Sequence, residues 1–448
     1  MNTIRKLAIT SVSLAAMAAV ATPASATEGY FQYGYGARQH GLAGAGVANG
    51  TDATTISLNP AGLVNVGNEA SMAITVFSPR REVNSDSPFG FIPQGTTESG
   101  NNYFYIPNMA VSYRMAPGSI VDVVGVQMYG NGGMNTDYPA RVGGVACPFP
   151  GFGIYCGGKA GVNLQQALLS VAMAKSLGNF SIGIAPTIAR QQIEVEGLGA
   201  FAGFSNSPGA FSNSGTNLSW GFGVRGGIEW KIMPHVRLGV AGATPMWSTP
   251  FHEYRGLFAE GGKFDIPANL QAGIAVDLNP ALTVMLDYRH IFYSGVASIA
   301  NSSSITNCAL AGGPIDPSCF GGANGPGFGW GDVDVFKIGV EYKANPALTL
   351  RAGYAYNTGA IKSRDVFFNT IAPAVVRHHI TAGLEYKYNQ NWSLELAGAY
   401  VPRASLTGPE NAYPGDPTNI TISMEQYMFT MGVKYKFGAP EPVYEPMK

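Results

Sequence analysis

From residue 69 to residue 437, apolar side chains return at every second position in one short segment after another. Within residues 217–231, Leu218, Trp220, Phe222, Val224, Ile228 and Trp230 form one set. Ser219, Gly221, Gly223, Arg225, Gly227, Glu229 and Lys231 form the other. Near the end, Tyr427, Phe429, Met431, Val433, Tyr435 and Phe437 alternate with Met428, Thr430, Gly432, Lys434 and Lys436. Ile380, Leu384 and Tyr386 likewise stand opposite Thr381, Glu385 and Lys387. A helix, at about 3.6 residues per turn, would mix these sets; a strand sends successive side chains to opposite faces and keeps them apart. The segments therefore read as strands with one lipid-like face and one wet face.

Such segments begin near residues 69, 105, 119, 162, 179, 217, 235, 263, 281, 333, 347, 379, 391 and 423, which makes about fourteen. Their connections alternate in length. Short ones fall at 116–118, 177–179, 233–235, 279–281, 345–347 and 389–391, and long ones at 131–161, 197–216, 299–331 and 404–419. Tight turns on one side and long loops on the other are the mark of an outer-membrane barrel, and a soluble sandwich has no reason to sort its loops this way. Tyr288, Tyr342, Tyr386, Tyr400 and Tyr435 sit at strand ends, where an aromatic girdle belongs. Charged residues are only 12% of the chain, about half the usual share for a soluble domain, which fits a barrel whose outer face meets lipid. The predicted fold is all-β: a transmembrane antiparallel barrel of about 14 strands over residues 69–437.

Residues 1–26 read as an export signal. Arg5 and Lys6 precede an apolar run at 7–20, and Ala24-Ser25-Ala26 supplies a small-x-small cleavage site. Beyond it no stretch of about 18 apolar residues occurs, so no later helical span is expected. Residues 27–68 do not alternate; they are rich in Gly and Ala and carry Tyr30, Phe31, Tyr33 and Tyr35. This segment is too long for a turn and reads as a small packed appendage, either a lumen plug or a periplasmic tether. Residues 438–448 form a Pro/Glu-rich periplasmic tail. The four cysteines fall as two local pairs, Cys147/Cys156 and Cys308/Cys319, each in a Gly/Pro-rich loop. In an exported protein they read as loop disulfides; zinc is the alternative, against which stand the spacing and the lack of a nearby histidine.

Gly36-Ala37-Arg38, Gly41-Leu42-Ala43-Gly44-Ala45-Gly46, Asp52-Ala53 and Asn59-Pro60-Ala61-Gly62 resemble the hatch of the FadL/TodX-type long-chain fatty acid and hydrocarbon transporters. The resemblance continues through Ala189-Arg190 with Ile193-Glu194, and from Phe336-Lys337-Ile338-Gly339 to Leu350-Arg351-Ala352-Gly353-Tyr354. Asn-Pro-Ala recurs at Asn279 and Asn345 in turns, so the hatch context is what gives Asn59, Pro60 and Ala61 their weight. The resemblance implies a closed barrel with a hatch (27–68) in the lumen, a greasy binding site above it, and a kinked third strand opening sideways to the membrane. It makes Tyr30, Phe31, Tyr33 and Arg190 the candidate substrate-binding residues. Arg190 would pair a substrate carboxylate; a lumen salt bridge with Glu194 or Glu196 is the competing reading. The tail beyond Phe437 and the loop cysteines are departures from the family's pattern.

Little in the sequence points to chemistry. Gly44-x-Gly46-x-x-x-Gly50 follows no strand and is one residue too long for a dinucleotide fingerprint, so it reads as close packing. Neighbouring His378 and His379 would point to opposite faces of a strand and cannot chelate together. The inward charges Arg225, Glu229, Asp287, Arg289, Glu341, Arg351, Glu385 and Glu395 read as lumen salt bridges. The net charge of −1, without a basic block, gives no footing for nucleic acid. The expectation is a non-enzymatic, cofactor-free and metal-free monomer in the bacterial outer membrane. Its partners would be membrane lipid, the export and barrel-assembly machinery, and a hydrophobic ligand, most of all a long-chain fatty acid. A general porin for polar solutes, an aromatic-hydrocarbon channel and a surface adhesin or receptor are the rivals.

Overall fold

The computed structural model describes residues 28–141, 143–147, 151–305, 308, 316–411 and 415–438. The export segment and the tail beyond residue 438 lie outside the described residues. Fourteen long strands run in chain order: β1 Glu69–Ser85, β2 Phe104–Arg114, β3 Val123–Asn135, β4 Gly161–Leu177, β5 Phe180–Ile193, β6 Asn217–Met233 and β7 Val236–Ala243. They continue as β8 Asn269–Asn279, β9 Leu282–Ile291, β10 Val333–Lys343, β11 Leu348–Asn357, β12 His378–Lys387, β13 Trp392–Pro409 and β14 Asn419–Lys436. Each pairs antiparallel with its neighbours, and β1 closes the barrel on β14 from Glu69↔Lys436 to Ser85↔Ile420. Three short strands, Gly95–Glu98, Val195–Glu196 and Trp247–Ser248, extend the sheet beside the long loops.

The alternation decides which side each residue faces. On β6, Leu218, Trp220, Phe222, Ile228 and Trp230 are exposed on the outer wall, while Ser219, Arg225 and Glu229 are buried inside. On β14, Tyr427, Phe429, Met431, Val433 and Tyr435 face out, and Met428, Thr430 and Lys434 face in. The exposed aromatics gather near both strand ends, where pairs such as Trp392–Tyr435 (4.6 Å) and Tyr400–Tyr427 (5.4 Å) form the two girdles of a membrane barrel.

Two strands begin later than their pattern predicts. β3 starts at Val123 because residues 119–122 form the preceding turn, in which Asp122 accepts Lys175 Nζ at 3.0 Å and the Ser176 amide at 2.8 Å. β8 starts at Asn269 rather than near 263, because Phe264 and Ile266 are drawn under the outer loops and Ile266 pairs only with Met246. Both disulfides, Cys147–Cys156 and Cys308–Cys319, are formed within their outer loops.

Residues 28–66 are almost wholly buried among the inward-facing side chains of the strands. Their anchors come from around the wall. Asp287 on β9 accepts the Gly46 and Val47 amides, each at 2.9 Å; Lys337 on β10 donates to the Tyr33 carbonyl at 2.8 Å; and Gln127 on β3 accepts the Ser57 amide at 2.9 Å. Asn59 caps the turn Pro60–Asn65 by accepting the Ala61 amide at 3.1 Å, and its Nδ2 donates to Ile228 O on β6 at 3.1 Å. Glycines on the wall make room for it. A Cβ at Gly227 would lie 2.1 Å from Asn59 Oδ1, and one at Gly183 would lie 2.4 Å from the Ala61 nitrogen. Part of the high glycine content is thus a mould for the segment inside.

The inward charges divide into two groups. Arg351 joins Glu341 (2.8 Å), Glu385 (2.6 Å) and Glu395 (2.8 Å), and Lys434 and Arg38 complete that network. Arg289 and Lys337 both pair Glu28, at 2.8 and 2.7 Å. Arg225, Glu229 and Asp287, by contrast, form none of the salt bridges expected of them among the described residues. Arg225 donates to the Leu58 carbonyl and to Asn269 Oδ1, Glu229 accepts from the Asn65 amide, and Asp287 accepts from the backbone at residues 46–47 and from Gln271, so neutral partners from the segment and the wall take the place of an opposite charge.

Candidate functional site

The long loops fold inward over the barrel mouth and bury an unusual number of aromatic rings for connecting segments, among them Phe201, Phe258, Phe320, Phe328 and Phe368. Beneath this roof lies a small apolar cavity. Val162, Leu164 and Ile193 line its wall, Phe258, Phe264, Phe320, Phe328 and Phe368 its upper side, and Met134 one end. A ligand entering it gains about 25 cal/mol for each Å² of apolar surface removed from water.

Met134 also lines a second, smaller cavity. Its wall comes from Phe77, Pro79 and Arg81 of β1, Phe104 of β2, and Gly133 and Asn135 of β3, with Trp330 and Met424 completing it. The two spaces adjoin, since Trp330 of the smaller is 6.1 Å from Phe328 of the larger, ring to ring.

The upper half of β3 leaves the plane of the wall. β2 and β3 pair only as far as Asn108↔Tyr129, while β3 continues along β4 to Asn135↔Asn163 with a register shift between Gly130 and Gly132. From Gln127 onward nearly every β3 residue is buried, which a strand keeping one face to lipid could not manage. The N-terminal segment takes the vacated pairing: Gln32 donates to the Asn131 carbonyl at 3.0 Å, and Gly133 to the Tyr30 carbonyl at 3.0 Å. Gly132 permits this, for a Cβ there would stand 1.8 Å from the Tyr30 oxygen. The kink that the resemblance implied is present.

On the turn side, below the segment, opens a polar basin of about 1330 Å³. It is lined by Arg237, Lys343, Arg351, Lys387, Lys434 and Lys436, together with Asp277, Glu341 and Glu385. The lumen is therefore layered: an apolar chamber under the loops, a buried segment, and a charged basin toward the turns.

The sequence-predicted residues fall as follows. Tyr30, Phe31 and Tyr33 are fully buried and line neither cavity. Tyr30 packs against Phe264 (6.3 Å) and Trp330 (6.1 Å), and Tyr33 joins the cluster of Phe77, Phe104 and Ile106. Asn59, Pro60 and Ala61 dock the segment on β5 and β6, some distance in sequence from these aromatics. Arg190 is on the opposite side of the wall from the position its expected role requires. On β5 the outward set runs Ile182, Ile184, Ile188, so Arg190 shares the lipid-facing side, beside Trp220 across the strand pair and 3.2 Å from Gln192 Oε1. Neither Glu194 nor Glu196 pairs with it; Glu196 holds Lys159 at 3.3 Å. The sequence reading missed Arg81 and the roof phenylalanines. The alternation of β1, with Phe77, Pro79, Arg81 and Val83 on one side, carried the signal for the first. Paired rings such as Phe367-Phe368 in a loop carried it for the second.

Comparison with known proteins agrees with this architecture. Three solved structures align over 91% of this chain. They are the Pseudomonas putida toluene transporter TodX (16% identity, all of that chain, TM-score 0.62) and a Pseudomonas aeruginosa FadL homologue (15%, all of that chain, TM-score 0.65). The third is the Ralstonia pickettii toluene transporter TbuX (17%, 99% of that chain, TM-score 0.58). At these identities they establish the fold. Comparison with curated proteins returns no match. The profile of the outer membrane protein transport family (OMPP1/FadL/TodX) matches residues 16–437. The chain, a closed fourteen-stranded barrel with lipid-facing walls, belongs to that outer-membrane transport family.

Proposed function

We propose that this barrel passively carries hydrophobic small molecules across the outer membrane, with long-chain fatty acids as its main cargo and residues 27–68 as the hatch that closes the lumen. The observation that carries the reading is the apolar cavity under the outer loops, against whose Phe264 the buried Tyr30 packs. A general porin would need an open aqueous lumen, whereas here a buried segment is bonded to strands around the wall. A ligand loads into the chamber by desolvation and leaves when the N-terminal segment shifts or sideways past the upper half of β3. The chamber must bind well enough to fill and weakly enough to empty.

A second reading, aromatic hydrocarbons, is favoured by the ring-rich lining (Phe258, Phe264, Phe320, Phe328, Phe368) and by the toluene-transporting relatives of the same fold. Uptake of oleate, toluene and arabinose into liposomes bearing the protein separates these readings. Oleate uptake well above arabinose supports the proposal, toluene uptake without oleate supports the second reading, and arabinose uptake alone refutes both.

A further inference from the structure

The outer surface where β14 meets β1 changes character along its length. From the turns toward the loops, the outward residues paired across this seam are Ile74 with Met431, Val76 with Phe429, Ser78 with Tyr427, and Arg80 with Glu425. Ile74, Met431, Phe429 and Tyr427 are all exposed on the wall. The column is therefore apolar at membrane depth, aromatic at the girdle and charged just above it, which puts Arg80 at the level of lipid head groups. A polar cleft opens there, lined by Ser78, Arg80, Glu82, Glu98, Arg403 and Glu425.

The acids of the cleft leave a cation over. Glu425 accepts from the Tyr400 and Tyr427 hydroxyls at 3.2 and 2.8 Å, and Glu82 is paired with Arg403. Glu98 stands opposite Glu82 on the short strand, one step nearer the loops than Arg80. Arg80 forms no salt bridge among the described residues, and its guanidinium is held over the Tyr427 ring, 5.8 Å from the centre. Arg403 is half exposed, and one carboxylate does not use up the five N–H donors of a guanidinium. The other rim of the barrel is unlike this one. Trp230, Tyr342, Tyr386 and Tyr435 are exposed there, and Lys175, an outward cation at that end, is held by Asp122 at 3.0 Å. The two leaflets thus meet different surfaces, with unspent positive charge toward the loops.

We propose that Arg80 and Arg403 clamp the phosphate of a phosphorylated lipid of the outer leaflet, whose acyl chain lies down the wall along Phe429, Met431 and Ile74. Guanidinium forks match phosphate oxygens two at a time and make charge-assisted hydrogen bonds to them. The apolar column directly below the cations is what commits the site to a lipid, since a free phosphate has no use for it. The clamp joins β1 to β13 across β14, at the seam where the barrel closes. It lies on the outside of the wall and is independent of what the lumen carries.

The test titrates the purified barrel in detergent with dimyristoyl phosphatidic acid and with dimyristoylglycerol, which differ only in the phosphate, and reads bound lipid by native mass spectrometry. Wild type is expected to hold the phosphatidic acid about tenfold more tightly than the diacylglycerol. Replacing both cations, Arg80→Gln with Arg403→Gln, should remove that preference and leave the diacylglycerol within about twofold. Arg190→Gln, which removes a lipid-facing cation on β5 away from the cleft, should leave the preference intact. A wild type indifferent to the phosphate overturns the proposal, as does an equal loss in the Arg190→Gln variant, which would mean charge without a site. Inorganic phosphate that displaces the lipid at equal concentration overturns the commitment to a lipid. Folding is checked by heat-modifiable gel mobility. Should the double variant not fold, Arg80→Gln alone decides: a loss of about threefold or more in phosphatidic acid affinity supports the clamp, and no loss overturns it.

Discussion

Arg351 shows how much one side chain can hold in a lumen. Its guanidinium touches Glu341, Glu385 and Glu395, and all four residues are buried. Removing one partner from such a group leaves uncompensated charge, so Arg351→Ala is expected to destabilise the barrel by about 3–5 kcal/mol, measured by urea unfolding in detergent. Glu410 behaves differently. It is fully buried above β13, and its Oε1 accepts the Phe91 and Ile92 amides at 2.7 and 2.8 Å, while Oε2 has no hydrogen-bond partner among the described residues. Burial, helped by nearby Asp416 and Asp86, pushes its carboxyl up to about 7. Its folded value thus lies above the ordinary one, so its contribution is fully present below about pH 4.5 and lost as pH rises through 7. Exchange protection of residues 86–94, corrected for intrinsic rates, should therefore fall between pH 5 and pH 8, and Glu410→Gln should flatten that dependence. For Arg190, outward and lipid-facing, Arg190→Ala is expected to leave dodecanoate binding within about twofold, measured by isothermal titration on the purified barrel in detergent. The identity of that residue was plain in the sequence but its side of the wall was not, because Ala189 and Arg190 could each have been the inward member until the phase of β5 was fixed by its isoleucines.

At the scale of elements, the fourteen strands were legible because each carries its own period-two record, and their starts shift only where a turn or a roof contact captures the first residues, as at 119–122 and 263–268. From its own residues the N-terminal segment was legible only as an appendage, plug or tether, and the resemblance alone put it in the lumen, since its position depends on glycines scattered over partner strands. Those glycines offer a direct test. Valine suits a strand, but at Gly183 its Cβ would meet the Ala61 backbone at 2.4 Å. Gly183→Val should therefore leave the barrel folded while undocking the turn Pro60–Asn65. Single-channel conductance in planar bilayers should rise, as it should more strongly on deletion of residues 28–66; unchanged conductance in both would show that the segment does not close the lumen. The loops' rings were visible, as at Phe367-Phe368, but their assembly into a roof was not, because Phe258, Phe320 and Phe368 come from three separate loops and meet only once the barrel brings their stems together.

The whole molecule is a wall between two solvents, and its tolerance of charge should differ by side. Leu286, midway along β9 and 50% exposed on the outer surface, is expected to cost about 2–4 kcal/mol when replaced by Arg, measured by refolding titrations in lipid. Asp287, one residue on, is an acidic side chain bonded to the segment inside. The two disulfides bear on how such a wall is assembled. Each closes within a single loop, across 9 and 11 residues, so neither depends on another strand being in place. Each can form while the chain is still unassembled in an oxidising compartment. Two of the segments that end up outside would then cross the bilayer as small closed rings, so that the passage through which the barrel is threaded must admit a loop with its covalent staple already set.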